Sequence, residues 1–270
     1  MVKLKIFKYS KFLIFIIYCC ISITSFTYAS DRQECIELYK KAFELKNKSE
    51  YRESIELFDC VINKCPKFSQ AYIMKAYILS MNTQYEQAII VADEALKING
   101  VKNEKLRNSR ALAVKSHALY NLHQFSKSLE CANLALSFEN NYILSLYIRA
   151  ASNGALGHYE LAIIDFDKTL ELDPSSNTND ETYLNRFCPL YNLGRYQEAL
   201  ETCDKALKIT ITPHDLPQIY SKKAAALNKL GRHKEALESA NKALEIYSKD
   251  PLGISEKKIA DSKLSKKGLL

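Results

Sequence analysis

Two stretches decide the fold: Gly157–Pro174, GHYELAIIDFDKTLELDP, and Gly194–Ile209, GRYQEALETCDKALKI. In each, an aromatic residue stands two places after a glycine and leads, three and four places on, to a small and an aliphatic residue. Tyr159 leads to Ala162-Ile163 and Tyr196 to Ala199-Leu200. Seven residues beyond each small residue a second pair follows, Thr169-Leu170 and Ala206-Leu207. These offsets return the apolar residues to one face of an α-helix. Asp173-Pro174 then ends the first stretch where a helix must stop.

The same pattern recurs outward in both directions. Tyr51 leads to Ser54-Ile55, Tyr85 to Ala88-Ile89, Phe125 to Ser128-Leu129 and His233 to Ala236-Leu237. The six lead residues lie 34, 40, 34, 37 and 37 residues apart. A fixed period of this size marks a repeat architecture. Thirteen residues before each lead stand Leu38, Tyr72, Leu112, Leu146, Tyr183 and Tyr220, and nine before stand Ala42, Ala76, Ser116, Ala150, Phe187 and Ala224. This is the face of a first helix, with a small residue at its middle that lets a neighbouring helix come close. Each copy therefore reads as a helix hairpin, turned at Gly157, Gly194 and Gly231 in the last three.

The pattern resembles the tetratricopeptide repeat family over about residues 35–250, with copies near 35–68, 69–102, 109–142, 143–176, 180–213 and 217–250. The resemblance implies an all-α, right-handed superhelical solenoid of about six hairpins, whose first helices line a concave groove. His233 departs from the family's aromatic residue and Phe187 from its small one. Extra residues Asn103–Asn108 are expected to lengthen the next helix, and Ile211–Pro217 reads as a loop. Residues 251–270 read as a capping helix or a lysine-rich tail.

Composition agrees. Seven Gly, six Pro and no Trp in 270 residues leave room for long helices and exclude a turn-rich β-sandwich. Of the net charge of +7, much sits at the ends: Lys3, Lys5, Lys8 and Lys11, and five lysines after residue 250. The middle is close to neutral, so no nucleic-acid partner is expected. The basic start, the apolar run Phe12–Ile23, and Thr27 and Ala29 before Ser30 read as a secretory signal over residues 1–29. An uncleaved anchor is the alternative, and the membrane is expected as a partner only in that case. The folded part is thus expected in the periplasm, outside the cell or in a lumen.

No motif for catalysis is present, no cofactor is implied, and His123, His158 and His233 fall at turns of different copies, so no metal site is expected. An export route permits disulfides among Cys35, Cys60, Cys65, Cys131, Cys188 and Cys203. An up–down hairpin brings the start of one helix near the end of the next, pairing Cys35 with Cys65, with Cys60 as the competing partner.

The register places residues 12, 8 and 5 before each lead on the groove side. This set includes Tyr39, Phe43, Ile73, Tyr77, His117, Tyr120, Tyr147 and Tyr191. An aromatic stripe at helical spacing can be core; as a surface it suits an apolar peptide or protein segment, since tyrosine offers area plus a hydroxyl. Some family members clamp a terminal carboxylate at these places with Lys, Asn and Arg, which Tyr, Phe and Ile replace here. The function expected is a non-enzymatic protein-binding scaffold; the alternative is a structural or assembly subunit of an exported complex. Contact through such a surface is expected to respond little to salt. Cleavage after Ala29 is expected, and mass spectrometry of exported protein should find Ser30 first; an intact, membrane-held N-terminus would show an anchor.

Overall fold

The structure is a computed structural model that describes residues 32–100, 103–174, 179–209 and 214–266. The signal segment and residues 211–213 of the expected loop lie outside these. Among the described residues there are thirteen helices and no strand. They are α1 (32–47), α2 (Tyr51–Lys64), α3 (Ser69–Met81), α4 (Tyr85–Lys97), α5 (Glu104–Asn121), α6 (Phe125–Phe138), α7 (Ile143–Ala155), α8 (Tyr159–Leu172), α9 (Asn179–Asn192), α10 (Tyr196–Ile209), α11 (Leu216–Lys229), α12 (His233–Ile246) and α13 (Pro251–Ser265). No described helix is long and apolar enough to cross a membrane. The helices fall into two compact units, one ending at Ala118 and one beginning at Leu119.

Small residues set how closely the helices approach. Ala42, Ala76 and Ala150 of the odd-numbered helices, and Ala88, Ala162, Ala199 and Ala236 of the even-numbered ones, are fully buried. Ser54 holds the equivalent place in α2, and its hydroxyl donates to the Ala42 carbonyl at 2.7 Å. Around these contacts the first unit packs Phe58, Val61, Ile78, Val91 and Val114, and the second packs Leu146, Phe166, Leu190, Ile219 and Leu227. In copy five Phe187 replaces the small residue. It stays buried by stacking on Tyr191, ring centroids 5.5 Å apart.

A polar ladder ties each copy to the next within a unit. Ten residues before the lead stands a cation, and eight after the preceding lead stands Asp or Asn. Lys75 pairs with Asp59 at 2.5 Å and Lys115 with Asp93 at 2.7 Å in the first unit. In the second, Arg149 donates to Asn133 at 3.3 Å, Arg186 pairs with Asp167 at 2.7 Å and Lys223 with Asp204 at 2.6 Å. The partners are half-exposed, so each pair contributes about 0–1 kcal/mol. Their value lies in fixing register. Arg149 also grips the buried Asp165 carboxylate with two nitrogens, at 2.6 and 2.7 Å. Asp165 and Asp167, two apart on α8, therefore serve different helices.

Both ends are fastened. Cys35 and Cys65 are joined by a disulfide that staples α1 to the end of α2, and Cys60 is an exposed thiol. At the other end Asp250 caps α13, accepting the Gly253 N–H and the Ser221 hydroxyl. A Cβ at Gly253 would lie 2.8 Å from Asp250 Oδ2, so a larger residue there would push the capping carboxylate aside. Residues 251–265 are thus a capping helix. The extra residues Glu104–Asn108 do extend α5. The expected Ile211–Pro217 loop is corrected at its end: α11 begins at Leu216, with Pro217 in its first turn, where a missing N–H costs nothing.

One residue of every hairpin turn, two places before the lead, has a positive φ: Ser49, Thr83, His123, Gly157, Gly194 and Gly231. Glycine adopts this conformation freely, whereas a β-branched residue is strained in it. No atom lies within 4 Å of a Cβ built at Gly194, so the backbone angle alone decides. Gly194→Val should destabilise the protein by about 1–2 kcal/mol, and Thr83→Gly should stabilise it by about 0.5 kcal/mol. Urea unfolding of the two variants measures both signs.

Candidate protein-binding surface

In the first unit, Phe43 on α1 is 38% exposed and Tyr77 on α3 is half-buried. Lys46, one turn beyond Phe43, bridges the two helices: its Nζ lies 4.9 Å from the Phe43 ring centroid and 5.9 Å from that of Tyr77. The stem and charge of one lysine thus roof two aromatic rings, a cation–π arrangement worth about 0.5–1 kcal/mol where exposed. His117 on α5 stands by, its Nδ1 2.7 Å from the Ser80 hydroxyl. Tyr39 is turned partly into the core, edge-on to Phe58 at 5.5 Å and tilted against Phe68 at 5.2 Å. Ile73 is buried. Phe43 is the exposed aromatic of this set, and Tyr77, half-buried against the core, offers part of its ring beside it.

The second unit carries Tyr120, Tyr147 and Tyr191. Tyr120 and Tyr147 pack against Ala150, Ala151, Ala162 and Phe166. The Tyr147 hydroxyl donates to Glu181 at 2.6 Å and accepts from Asn185 Nδ2 at 2.6 Å. Burial first, and then the neighbouring Glu181 carboxylate, hold that phenol well above its ordinary range, so it stays protonated as a donor. Tyr191 stacks on Phe187 and meets Tyr196 edge-on at 5.2 Å.

Residues 11 before the lead add a polar layer that the aromatic stripe alone does not reveal. Asn185 is one. Lys222 is the other, only 8% exposed, with its Nζ donating to the Leu184 carbonyl at 2.8 Å and lying 3.6 Å from Cys188 Sγ. It also sits 5.3 Å from the Phe187 ring centroid. Nearby, Pro189 lies inside α9 and has no N–H for the carbonyl four residues back. It is received by Gly154 of α7, whose Cβ position is 3.6 Å from Pro189 Cγ. Nearer the C-terminus, Asn228 donates to the buried Glu256 carboxylate, so α13 covers part of copy six. The sequence signal for Asn185 and Lys222 was the same register, read one position further round the helix.

The Cys203 thiol is pushed up to about 12 by burial, and so stays protonated. Among the described residues no group of three or more His, Cys, Asp or Glu is placed to hold a metal ion.

Comparison with known proteins agrees with this fold. The solved structure of YrrB, described as a TPR protein with an unusual peptide-binding site, superposes with a TM-score of 0.58 at 19% identity, over 74% of this chain and 97% of that one. The fold is a tetratricopeptide-type solenoid. The tetratricopeptide repeat family model matches residues 190–249. Cut9–Hcn1, an APC/C hetero-tetramer, gives a TM-score of 0.72 at 15% identity, over 84% of this chain and 42% of that one. Human peptidyl-prolyl cis-trans isomerase FKBP4 is 28% identical over 151 residues, which are 52% of this chain and 31% of the isomerase. Tyr147→Phe should lower stability by about 1 kcal/mol, by taking one partner from both Glu181 and Asn185. Guanidinium unfolding monitored by circular dichroism checks it.

Proposed function

We propose that this chain is a non-enzymatic scaffold that binds a peptide or protein segment outside the cytoplasm. The observation that carries the reading is the open aromatic pair Phe43 and Tyr77 on neighbouring helices under Lys46. A side chain inserted there gains apolar contact on both rings without displacing any core residue. Solved YrrB, of the same fold, is a peptide-binding protein by its description, which supports a binding role for such a face. The signal-like N-terminus supports export, and the Cys35–Cys65 disulfide suits an oxidising compartment.

A second reading, an assembly subunit, draws on a different surface. Leu161 and Ile164 on α8 are 54% and 61% exposed and stand one turn apart, an apolar outer strip of the kind that packs against another chain.

The discriminating experiment crosslinks the exported protein to its neighbours, identifies the partner, and compares variants. Phe43→Ala and Tyr77→Ala should each weaken binding by about 1–2 kcal/mol, five- to thirtyfold, while Lys168→Ala on α8 leaves it unchanged. Tyrosine and phenylalanine variants that fold and bind like the parent would overturn the scaffold reading. Loss of association in Leu161→Lys instead would establish the assembly role.

A further inference from the structure

The aromatic face of the first unit combines rings with cations that lack carboxylate partners among the described residues. Three lysines of these helices have carboxylate partners: Lys75 with Asp59, Lys115 with Asp93, and Lys64 with Glu34. The register positions 12, 8 and 5 before each lead, together with position 15 one helical turn earlier, contain no Asp or Glu in copies one to three up to Ala118. They do contain Lys46 and Arg110. Neither has a described carboxylate within ion-pair distance. Lys46 Nζ rests over the two aromatic rings and bonds only to its neighbour Asn47, at 3.0 Å. Arg110 is exposed, and its charge reaches across to Tyr39: burial raises the Tyr39 phenol, and the guanidinium partly reverses that rise.

From this we infer that the segment docking on the first unit is an acidic one, with aspartate or glutamate side chains flanking an apolar or aromatic residue. The proposal rests on the binding role argued above and specifies the partner. The apolar residue would lie on Phe43 and Tyr77, where cation and rings already coexist. The carboxylates would pair with Lys46 on one side and Arg110 on the other. Two cations left unpaired beside open aromatic surface repel a basic or metal-like ligand and gain nothing from a neutral one, whereas opposite charge steers and orients the encounter. The earlier expectation of salt-insensitive contact changes accordingly: a purely apolar surface would ignore ionic strength, and this one should not. Side-chain carboxylates are assigned, and not a chain terminus, because the two cations are carried by different helices, α1 and α5.

The experiment selects random dodecapeptides displayed on phage against the full immobilised chain, then measures the enriched peptides by fluorescence anisotropy. Enrichment of Asp or Glu beside Phe, Tyr, Trp or Leu is expected. Lys46→Gln and Arg110→Gln should each weaken such a peptide about threefold, and together about tenfold. Binding should fall when salt rises from about 0.05 M to about 0.5 M, and amidating the peptide's C-terminus should change nothing. Both substituted residues are at the surface, and unchanged melting confirms folding. Peptides that depend on Phe43 and Tyr77 but are neutral or basic, or that are indifferent to both cations, overturn this inference and leave the binding role intact. Dependence on the free C-terminus overturns the choice of side-chain carboxylates. If no enriched peptide depends on Phe43 or Tyr77, both readings fall.

Discussion

A helix hairpin of about thirty residues cannot bury both of its faces, so each one here is stable only through its neighbours. The contact that permits stacking is the meeting of two small residues, one at the middle of the first helix of the pair and one in the first turn of the second. Ala76 with Ala88, and Ala150 with Ala162, are all fully buried. A larger residue at either place would hold the helices apart and strand the aliphatic residues around it, because a packed interior has little slack. Where copy five breaks the rule with Phe187, the neighbourhood is rebuilt around it: Tyr191 stacks on its ring and the buried Lys222 covers it.

Repetition is stricter in some layers than in others, and the difference has a physical cause. The cation–Asp ladder runs through both units with one substitution, Asn133, which still accepts from Arg149. Packing fixes the distance between copies, but sliding by a turn would cost little apolar area; paired charges penalise that slip. The turn residue is held less strictly. Three copies use glycine and three accept Ser, Thr or His at the same positive φ, a local strain of the order of 1 kcal/mol that a cooperative stack can absorb.

The groove-side positions meet these packing demands unevenly, some buried as Ile73 is and some open as Phe43 is, and here the two units diverge. The first leaves an open aromatic pair with unpaired cations. The second spends its tyrosines on internal partners: Tyr147 is held between Glu181 and Asn185, and Tyr191 lies in a stack of rings. The same residue type therefore serves as surface in one copy and as part of a polar network in another. Capping by α13 adds to this by engaging Asn228 and Glu256.

Sequence alone determined the repeat, its register and the all-helical class, because periodic apolar and small residues can satisfy their burial only in stacked hairpins. The turn position and the extended α5 were legible for the same reason, as was the choice between Cys60 and Cys65 narrowed to two. Tertiary structure decided which stripe residues are surface. Tyr39 and Phe43 stand four apart on one helix and look alike in the sequence, yet Phe58 and Phe68 draw Tyr39 inward while Phe43 stays open. Lys222, which reads as one more surface lysine, is buried against a backbone carbonyl. A helical register fixes direction around one helix axis; the depth of a side chain depends on what the neighbouring helices bring to meet it.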